Sequence, residues 1–290
     1  AAAEGKRFTF LVVEGMEPVG DRLERIDQYA AWGVRLGMLT WNEENQLACG
    51  AGGDPDRGLT PLGREAVRRM QARGILPDVS HTSDRSFWDI LKLAEGPVVA
   101  SHSNCRALCD VRRNLTDEQL RAIRDTGGVI GVNVYHGFVH AEPRMQTAAM
   151  LARHAAHIAE TIGPEHVACG FDFCEYFGPG NEGCEGMESC AQTGNFFFEL
   201  ERLGFHQYEI SNFARPGSGG AAGHCLRKSA AGVGIDWKIS AKTAFFRGFR
   251  TFFARMVKCG PVLRKRFELF INMAYNILCI DIERDGSAAP

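Results

Sequence analysis

The chain has 290 residues, of which 45% are hydrophobic and 23% are charged. This composition is typical of a globular domain and excludes a disordered or collagen-like chain. No apolar run reaches the roughly 20 residues that a membrane-spanning helix needs. The best candidate, residues 267–280, is interrupted by one Glu and two Asn. The formal net charge of −2 gives no reason to expect a nucleic-acid partner.

Segments with the character of β-strands alternate with segments that carry helix signals. The strand candidates are Phe8–Val13, Val34–Leu39, Leu76–His81, Val98–His102, Val129–Asn133 and His166–Phe171. The helix candidates are Asp21–Trp32, Thr60–Arg73, Ser83–Ala94, Thr116–Thr126 and Thr147–Ile162. Several of these helices begin at a Ser or Thr that can cap the first turn, and Pro61 follows one such cap. The alternation predicts a parallel α/β sheet.

Polar residues follow the apolar strand candidates. Glu14, Asn42, Asn133 and Asp172 stand at or just after the ends of four of them. An apolar strand with a polar tip is typical of a parallel barrel, where the loops after the strands build the active site. Because these tips recur evenly along the chain, we predict a (β/α)8 TIM-type barrel and not a doubly wound sheet.

The two remaining strand candidates each run into a Ser-His pair, and the histidines His81 and His102 lie 21 residues apart. Imidazole is the commonest protein ligand for a transition metal. One histidine at a strand end is more often a hydrogen-bonded core or surface residue, but the repeated context favours a pair of metal ligands. The other histidines lack this context. His154 and His157, at positions i and i+3 of a predicted helix, are expected to face solvent.

Seven short motifs follow one another between about residue 10 and about residue 205. They are Val13-Glu14-Gly15, Gly33–Asn42, Gly58–Gly63, Asp78-Val79-Ser80-His81, Ser101-His102-Ser103-Asn104, Arg112–Asp117 and Gly170-Phe171-Asp172-Phe173. Their joint order resembles the renal (membrane) dipeptidase family, although any one motif alone would be weak. The resemblance implies a metallo-hydrolase (β/α)8 barrel, a dipeptide substrate and two zinc ions as cofactors.

The resemblance also implies roles for single residues. Glu14 would bridge the two zinc ions, and His81 and His102 would bind the second of them. Arg113 would bind the C-terminal carboxylate of the substrate, a task that suits a bidentate guanidinium group; the adjacent Arg112 stays an alternative. Asp172 would be the catalytic residue that moves the proton of the attacking water.

The chain departs from the family pattern in its first strand. Family members begin with a strand that ends in His-x-Asp and supplies two ligands of the first zinc, but no His-x-Asp occurs in this sequence. We therefore expect an incomplete barrel without that strand, and one bound zinc instead of two. The leading function is hydrolysis of dipeptides by a metal-activated water. The alternative is a catalytically inactive remnant that binds one metal or none.

The last quarter of the chain differs from the rest in charge. Residues 217–290 hold 12 Lys or Arg and 5 Asp or Glu, a net charge of +7, which leaves −9 for residues 1–216. We predict a dipeptidase-like barrel over residues 1–216, and a basic, Phe-rich C-terminal segment over 217–290. The alternating Phe and basic residues of 243–257 fit an amphipathic helix on the barrel. An anionic membrane surface or nucleic acid is the less favoured partner for them.

The chain has 10 cysteines but no CxxC pair. Residues 1–7 have no apolar stretch of the kind that a signal peptide requires. We therefore expect reduced thiols and a cytoplasmic location. The oligomeric state is left open, with a homodimer as one option.

Overall fold

The structure, a computed structural model, describes residues 10–209 and 212–214. The strands in these ranges are β1 (Leu11–Glu14), β2 (Val34–Met38), β3 (Leu76–Asp78), β4 (Ile130–Val132), β5 (Val167–Cys169), β6 (His206–Glu209) and β7 (Asn212–Ala214). The helices are α1 (Glu24–Ala31), α2 (Pro61–Ala72), α3 (Asp84–Leu93), α4 (Asp117–Asp125), α5 (His136–Val139), α6 (Ala148–Ile162) and α7 (Thr193–Arg202). Short 3-10 turns lie at Glu17–Val19, Pro143–Met145, Pro164–His166, Glu175–Phe177 and Cys190–Gln192.

Parallel pairing joins the strand segments in the order in which they follow along the chain. β1 pairs with β2, and β2 pairs with β3. The bridges Asp78–Val99 and Ala100–Ile130 then connect residues 99 and 100 to β3 on one side and to β4 on the other. β4 pairs in turn with β5. The parallel α/β architecture expected from the sequence is confirmed, whereas closure into an eight-stranded barrel stays a prediction.

The strand expected at Val98–His102 is reduced to bridges at Val99 and Ala100. Its neighbour β3 contains Pro77, whose carbonyl oxygen accepts the N–H of Val99. The N–H of Val79 donates to the carbonyl oxygen of Val99 in return. Beyond Ala100, the backbone N–H groups of Ser101 and His102 donate to the side chains of Asp78 and Ser80 instead of to backbone carbonyls, so the ladder between the two segments is short. The antiparallel pair of β6 and β7 is a second difference, because it follows the last strand that the sequence pattern predicts.

The five helices expected from the sequence are confirmed, with ends shifted by at most three residues. Four of them begin after a side chain that accepts a backbone N–H of the first turn, as the capping signals indicate. These caps are Thr60, Ser83, Thr116 and Thr147. The helices α5 and α7 were not among the predicted elements.

The helices α1, α2, α3, α4 and α6 each bury an apolar face. Ile26, Met70, Ile90, Leu120 and Ile158, one from each helix, are completely buried. The longest connections, residues 39–60, 101–116 and 170–192, all follow the carboxyl ends of strand segments. The polar strand tips therefore meet at one edge of the sheet, where long loops surround them. Within the described ranges, no helix has the length and apolar character needed to cross a membrane.

The basic, Phe-rich segment 217–290, including its candidate helix at 243–257, lies outside the described residues. The domain division at residue 216 therefore stays a prediction.

The expectation that His154 faces solvent is wrong. This residue of α6 is completely buried, and its Nδ1 accepts the backbone N–H of Cys105 at 3.0 Å. Its Nε2 donates to the carbonyl oxygen of Val139 at 2.8 Å. The neighbouring His157 is partly buried and contacts Asp117. His154 thus joins three segments of the chain through both ring nitrogens, which requires its neutral form.

Acid is expected to weaken the fold through His154. Burial lowers the pKa of this imidazole to about 4 from an ordinary value of 6.5. The unfolded chain therefore takes up a proton at a higher pH than the folded protein does. Stability is fully present above pH 6.5 and falls as the pH drops towards 4, by about 2 kcal/mol at pH 5. Urea unfolding at pH 7.5 and pH 5 measures this loss.

The control for this experiment is His157→Gln, which changes a histidine one turn away. Between pH 7.5 and pH 5, the free energy of unfolding of His154→Gln is expected to fall by about 2 kcal/mol less than that of the unchanged chain. His157→Gln is expected to behave like the unchanged chain. If all three proteins lost the same unfolding free energy between the two pH values, groups other than His154 would control the acid sensitivity.

Candidate metal centre

Three side chains from three strand ends converge on one point. Glu14 is the last residue of β1, His81 follows β3, and His102 follows the bridge at Ala100. The Nε2 of His81 lies 2.8 Å from the Oε1 of Glu14 and 2.8 Å from the Nε2 of His102. His102 Nε2 is 3.8 Å from the same oxygen of Glu14. Among the described residues, this is the one group of three or more His, Cys, Asp or Glu whose ligand atoms come this close together.

The orientation of His81 is set by Asn42, which lies in the loop after β2. The Oδ1 of Asn42 is 2.8 Å from the Nδ1 of His81. Because a carboxamide oxygen only accepts, Nδ1 must carry the proton, and the Nε2 of the neutral ring then presents a lone pair. That lone pair faces the carboxyl group of Glu14 and the second imidazole. One carboxyl oxygen and two imidazole nitrogens that face a single buried point are a ligand set that fits a divalent cation.

Burial favours the uncharged form of all three groups. It raises the pKa of Glu14 from 4.5 to about 8, and the neighbouring carboxylate of Asp172 adds to this effect. Burial also lowers the pKa of His81 well below 6.5 and lowers that of His102. The histidines are therefore neutral at pH 7, which is the form that binds metals.

His102 lies where the backbone packs very closely. Its Nδ1 is 2.8 Å from the hydroxyl of Ser101. Gly131 in β4 and Gly170 after β5 both face the carbonyl oxygen of Ser101, and a Cβ atom at either position would overlap that oxygen. The two glycines therefore allow the segment that carries His102 to lie against β4 and β5.

His81 and Asp172 share an uncommon backbone conformation. Their φ angles are 71° and 57°, and no other described residue except glycine has a positive φ. Residues other than glycine rarely adopt this left-handed backbone conformation. Those that do cluster at functional sites, where the surrounding structure holds them. The strained backbone points each of these side chains from a strand end into the site.

Asp172 lies beside the three converging groups but is not one of them. Its Oδ2 accepts a hydrogen bond from the Nδ2 of Asn133 at 3.2 Å, and the thiol of Cys174 lies 3.6 Å from its Oδ1. The charge of Asp172 raises the pKa values of Glu14 and His102. Its carboxylate is thus within electrostatic range of the site.

Arg113 faces the site, whereas the adjacent Arg112 is exposed and donates to the carbonyl oxygen of Gly53. The guanidinium of Arg113 lies 5.1 Å from the ring centre of Phe138. Burial lowers its pKa to about 10, and Asp172 acts in the opposite direction. Its Nε and Nη1 are buried without a hydrogen-bond partner among the described residues. Of the two arginines that the sequence left open, Arg113 is the one with donors available near the candidate ligands.

Arg106 holds the loop on both sides of Arg113. It donates to the carbonyl oxygens of Arg112 and Asn114 at 3.5 and 3.1 Å. The same guanidinium forms two hydrogen bonds to Asp84 at 2.9 and 2.8 Å, in the first turn of α3. The loop that carries Arg113 is therefore fixed to the helix that follows His81.

The residues that orient the candidate ligands have no predicted role from the sequence. Asn42 holds His81, Ser101 holds His102, and Asn133 contacts Asp172. The sequence does contain a signal that all three share, because each is a polar residue at or after the end of a strand segment. What the pattern could not give is which neighbour each side chain meets.

A family model for membrane dipeptidase, peptidase family M19, matches residues 1–216 of the chain. The chain belongs to the membrane dipeptidase family. This match confirms the resemblance read from the seven motifs, and it extends beyond them at both ends. Members of this family are metallopeptidases.

Curated relatives share the same region. An uncharacterized protein in the pqqA 5′ region of Klebsiella pneumoniae is 42% identical over an alignment of 154 residues, which covers 50% of this chain and 56% of that protein. An uncharacterized dipeptidase of Schizosaccharomyces pombe is 38% identical over an alignment of 175 residues, which covers 58% of this chain and 42% of that one. The chain thus spans about half the length of the curated relatives it matches.

A solved structure is similar to this member of the membrane dipeptidase family in both fold and sequence. The metallopeptidase of Rhodobacter sphaeroides, liganded with a phosphinate mimic of the dipeptide L-Ala-D-Ala, has a TM-score of 0.61 and 29% sequence identity. The alignment covers 68% of this chain and 57% of that one.

Proposed function

We propose that this protein binds zinc through Glu14, His81 and His102 and hydrolyses dipeptides. The observation that carries the proposal is the convergence of one carboxyl oxygen and two imidazole Nε2 atoms on a single buried point. Two imidazoles and a carboxylate are a ligand set that catalytic zinc sites use, with a fourth position left for water or substrate. We also propose that the parallel strand segments are part of a (β/α)8 barrel, which their pairing in chain order supports.

A zinc ion held there would act as a Lewis acid and activate water for attack on a peptide bond. The remaining tasks belong to the side chains around it. Arg113 binds the substrate's carboxylate through its guanidinium group, whose Nε and Nη1 have no partner among the described residues. Asp172, held by Asn133, accepts the proton of the attacking water and delivers it to the leaving amine.

The proposal of a dipeptide substrate is based on the similar proteins. One of them is named a dipeptidase, and the Rhodobacter sphaeroides structure holds a mimic of a dipeptide. We also propose reduced thiols and a cytoplasmic location. A homodimer stays an open option.

A second candidate function is metal binding without efficient hydrolysis. The observation that favours it is the ligand count, since the converging group has three members and the sequence contains no His-x-Asp. In a two-metal hydrolase each ion stabilises part of the transition state, so one ion alone would leave a higher barrier.

Zinc analysis and a dipeptide assay test the proposal together. We expect one tightly bound zinc per chain after dialysis, since three protein ligands and water complete a tetrahedral site. Hydrolysis of L-Ala-D-Ala should disappear on chelation and return with added zinc. Zinc binding without any hydrolysis would favour the second candidate, whereas no zinc at all would contradict both. Two zinc ions per chain would show that a further ligand exists.

A further inference from the structure

Asp78 connects the two Ser-His pairs. It is the last residue of β3, and only 1% of its surface is exposed. Its Oδ1 accepts the backbone N–H of Ser80 at 2.9 Å and that of Ser101 at 3.1 Å. Each serine stands directly before one of the histidines. One buried carboxylate oxygen therefore fixes the backbone beside both candidate imidazole ligands.

The two serine hydroxyls complete this connection. The Oγ of Ser80 accepts the backbone N–H of His102 at 3.1 Å, and the Oγ of Ser101 is 2.8 Å from its Nδ1. The two hydroxyls lie 3.5 Å apart. Ser80 of the first pair thus holds the segment of the second, while Ser101 contacts the imidazole beside it. Because Asp78 binds the backbone of both serines, a shift of its carboxylate would displace the segments that carry both histidines.

The second oxygen of Asp78 has no such role. Oδ2 is buried and has no hydrogen-bond partner among the described residues. An unpaired carboxylate oxygen in a buried position is unfavourable unless a positive charge compensates for it. The charge of Asp78 acts on Glu14, His102 and Arg113, which surround the proposed zinc position.

We propose that Asp78 is a positioning residue for the metal centre, which aligns His81 and His102 through the two serines and adds negative charge that favours a divalent cation. This inference rests on the proposed zinc site and does not depend on hydrolysis. Groups outside the ligand set commonly change metal affinity by about 10- to 100-fold.

The test is Asp78→Asn in the full chain. Asparagine keeps an oxygen that can accept both backbone N–H groups, so the fold is expected to survive, but it removes the charge. We expect the zinc dissociation constant, measured by competition with a chromophoric chelator, to rise about 10- to 100-fold. With Co²⁺ in place of zinc, the visible absorption bands of the variant should change in position or intensity, because the ligand geometry changes.

Asp89→Asn is the matched control. Asp89 lies in α3, is 3% exposed, and accepts the backbone N–H of Leu59 at 3.2 Å and a hydrogen bond from Arg64 at 3.3 Å. It is therefore a second buried carboxylate with backbone and side-chain donors, away from the converging ligands. We expect Asp89→Asn to bind zinc as the unchanged chain does, even if its urea midpoint falls.

The outcomes separate the two proposals. Unchanged zinc affinity and Co²⁺ bands in Asp78→Asn would overturn the role of Asp78 and leave the proposed function standing. Equal weakening in both variants would also overturn it, because the effect would then be general destabilisation. Absence of zinc binding in the unchanged chain would contradict the proposed function and this inference together. Asp78→Ser, which retains one acceptor oxygen, replaces Asp78→Asn in the same comparison if circular dichroism shows that the first variant is unfolded.

Discussion

Asp172→Asn is expected to lower kcat for dipeptide hydrolysis by about 10²- to 10⁴-fold and to leave zinc binding intact. General acid–base catalysis contributes that much when the proton-transfer group is positioned on the substrate. Asparagine has the same shape but cannot take up the proton. It also tolerates the positive φ of 57° at this position, so the backbone should not change. The measurement is steady-state kinetics together with the zinc content of each protein.

Asp125→Asn is the control for this change, because Asp125 lies on the surface of α4 and contacts Arg124. It should keep the full kcat. If Asp172→Asn kept it too, Asp172 would have no part in proton transfer. Loss of zinc from Asp172→Asn would instead identify a ligand role, which the three-membered group of Glu14, His81 and His102 does not predict.

His81→Asn is expected to weaken zinc binding by more than about 100-fold, beyond the range seen for residues outside the ligand set. The change removes the imidazole whose Nε2 lies 2.8 Å from both other ligand atoms. Asparagine is preferable to alanine here, since the φ of 71° would strain most other side chains. Zinc content after dialysis and competition titration measure the effect.

A histidine of the same chain outside the site provides the comparison. His157→Asn removes a ring that contacts only Asp117 among the hydrogen-bond partners described for it, and it should retain one zinc per chain. The proposed ligand set is wrong if His81→Asn holds zinc as tightly as His157→Asn does.

The sequence could predict the position of the site because parallel strands place their carboxyl ends at one edge. His81 and His102 were recognisable as a pair, since the same Ser-His context ends two apolar segments. Glu14 carries no such local signal, and its role depended on the family resemblance. The proposed role of Asp78 was not predictable from the sequence, because one of its hydrogen bonds reaches a serine 23 residues away on another segment.

The error at His154 has a similar cause. Alanines surround it in α6, at positions 152, 155 and 156, so the helix offers little contrast between a polar and an apolar face. Its burial depends on acceptor and donor groups at Cys105 and Val139, which periodicity within one helix cannot reveal. The expectation of a regular strand at Val98–His102 failed because side chains of the neighbouring segment, and not its backbone carbonyls, accept the N–H groups of Ser101 and His102.

The pairing of each strand with the next one along the chain also sets an order of assembly. Paired residues are between 21 residues apart, at Asp78 and Val99, and 40 residues apart, at Leu36 and Leu76. Each new strand therefore closes only a short loop onto a sheet that already exists, which favours stepwise growth from one end. On this topology Glu14, His81 and His102 come together once the segment at 99–100 has paired, whereas Asp172 joins them only after β5. The three proposed metal ligands can therefore come together while the segment that carries Asp172 is still unfolded.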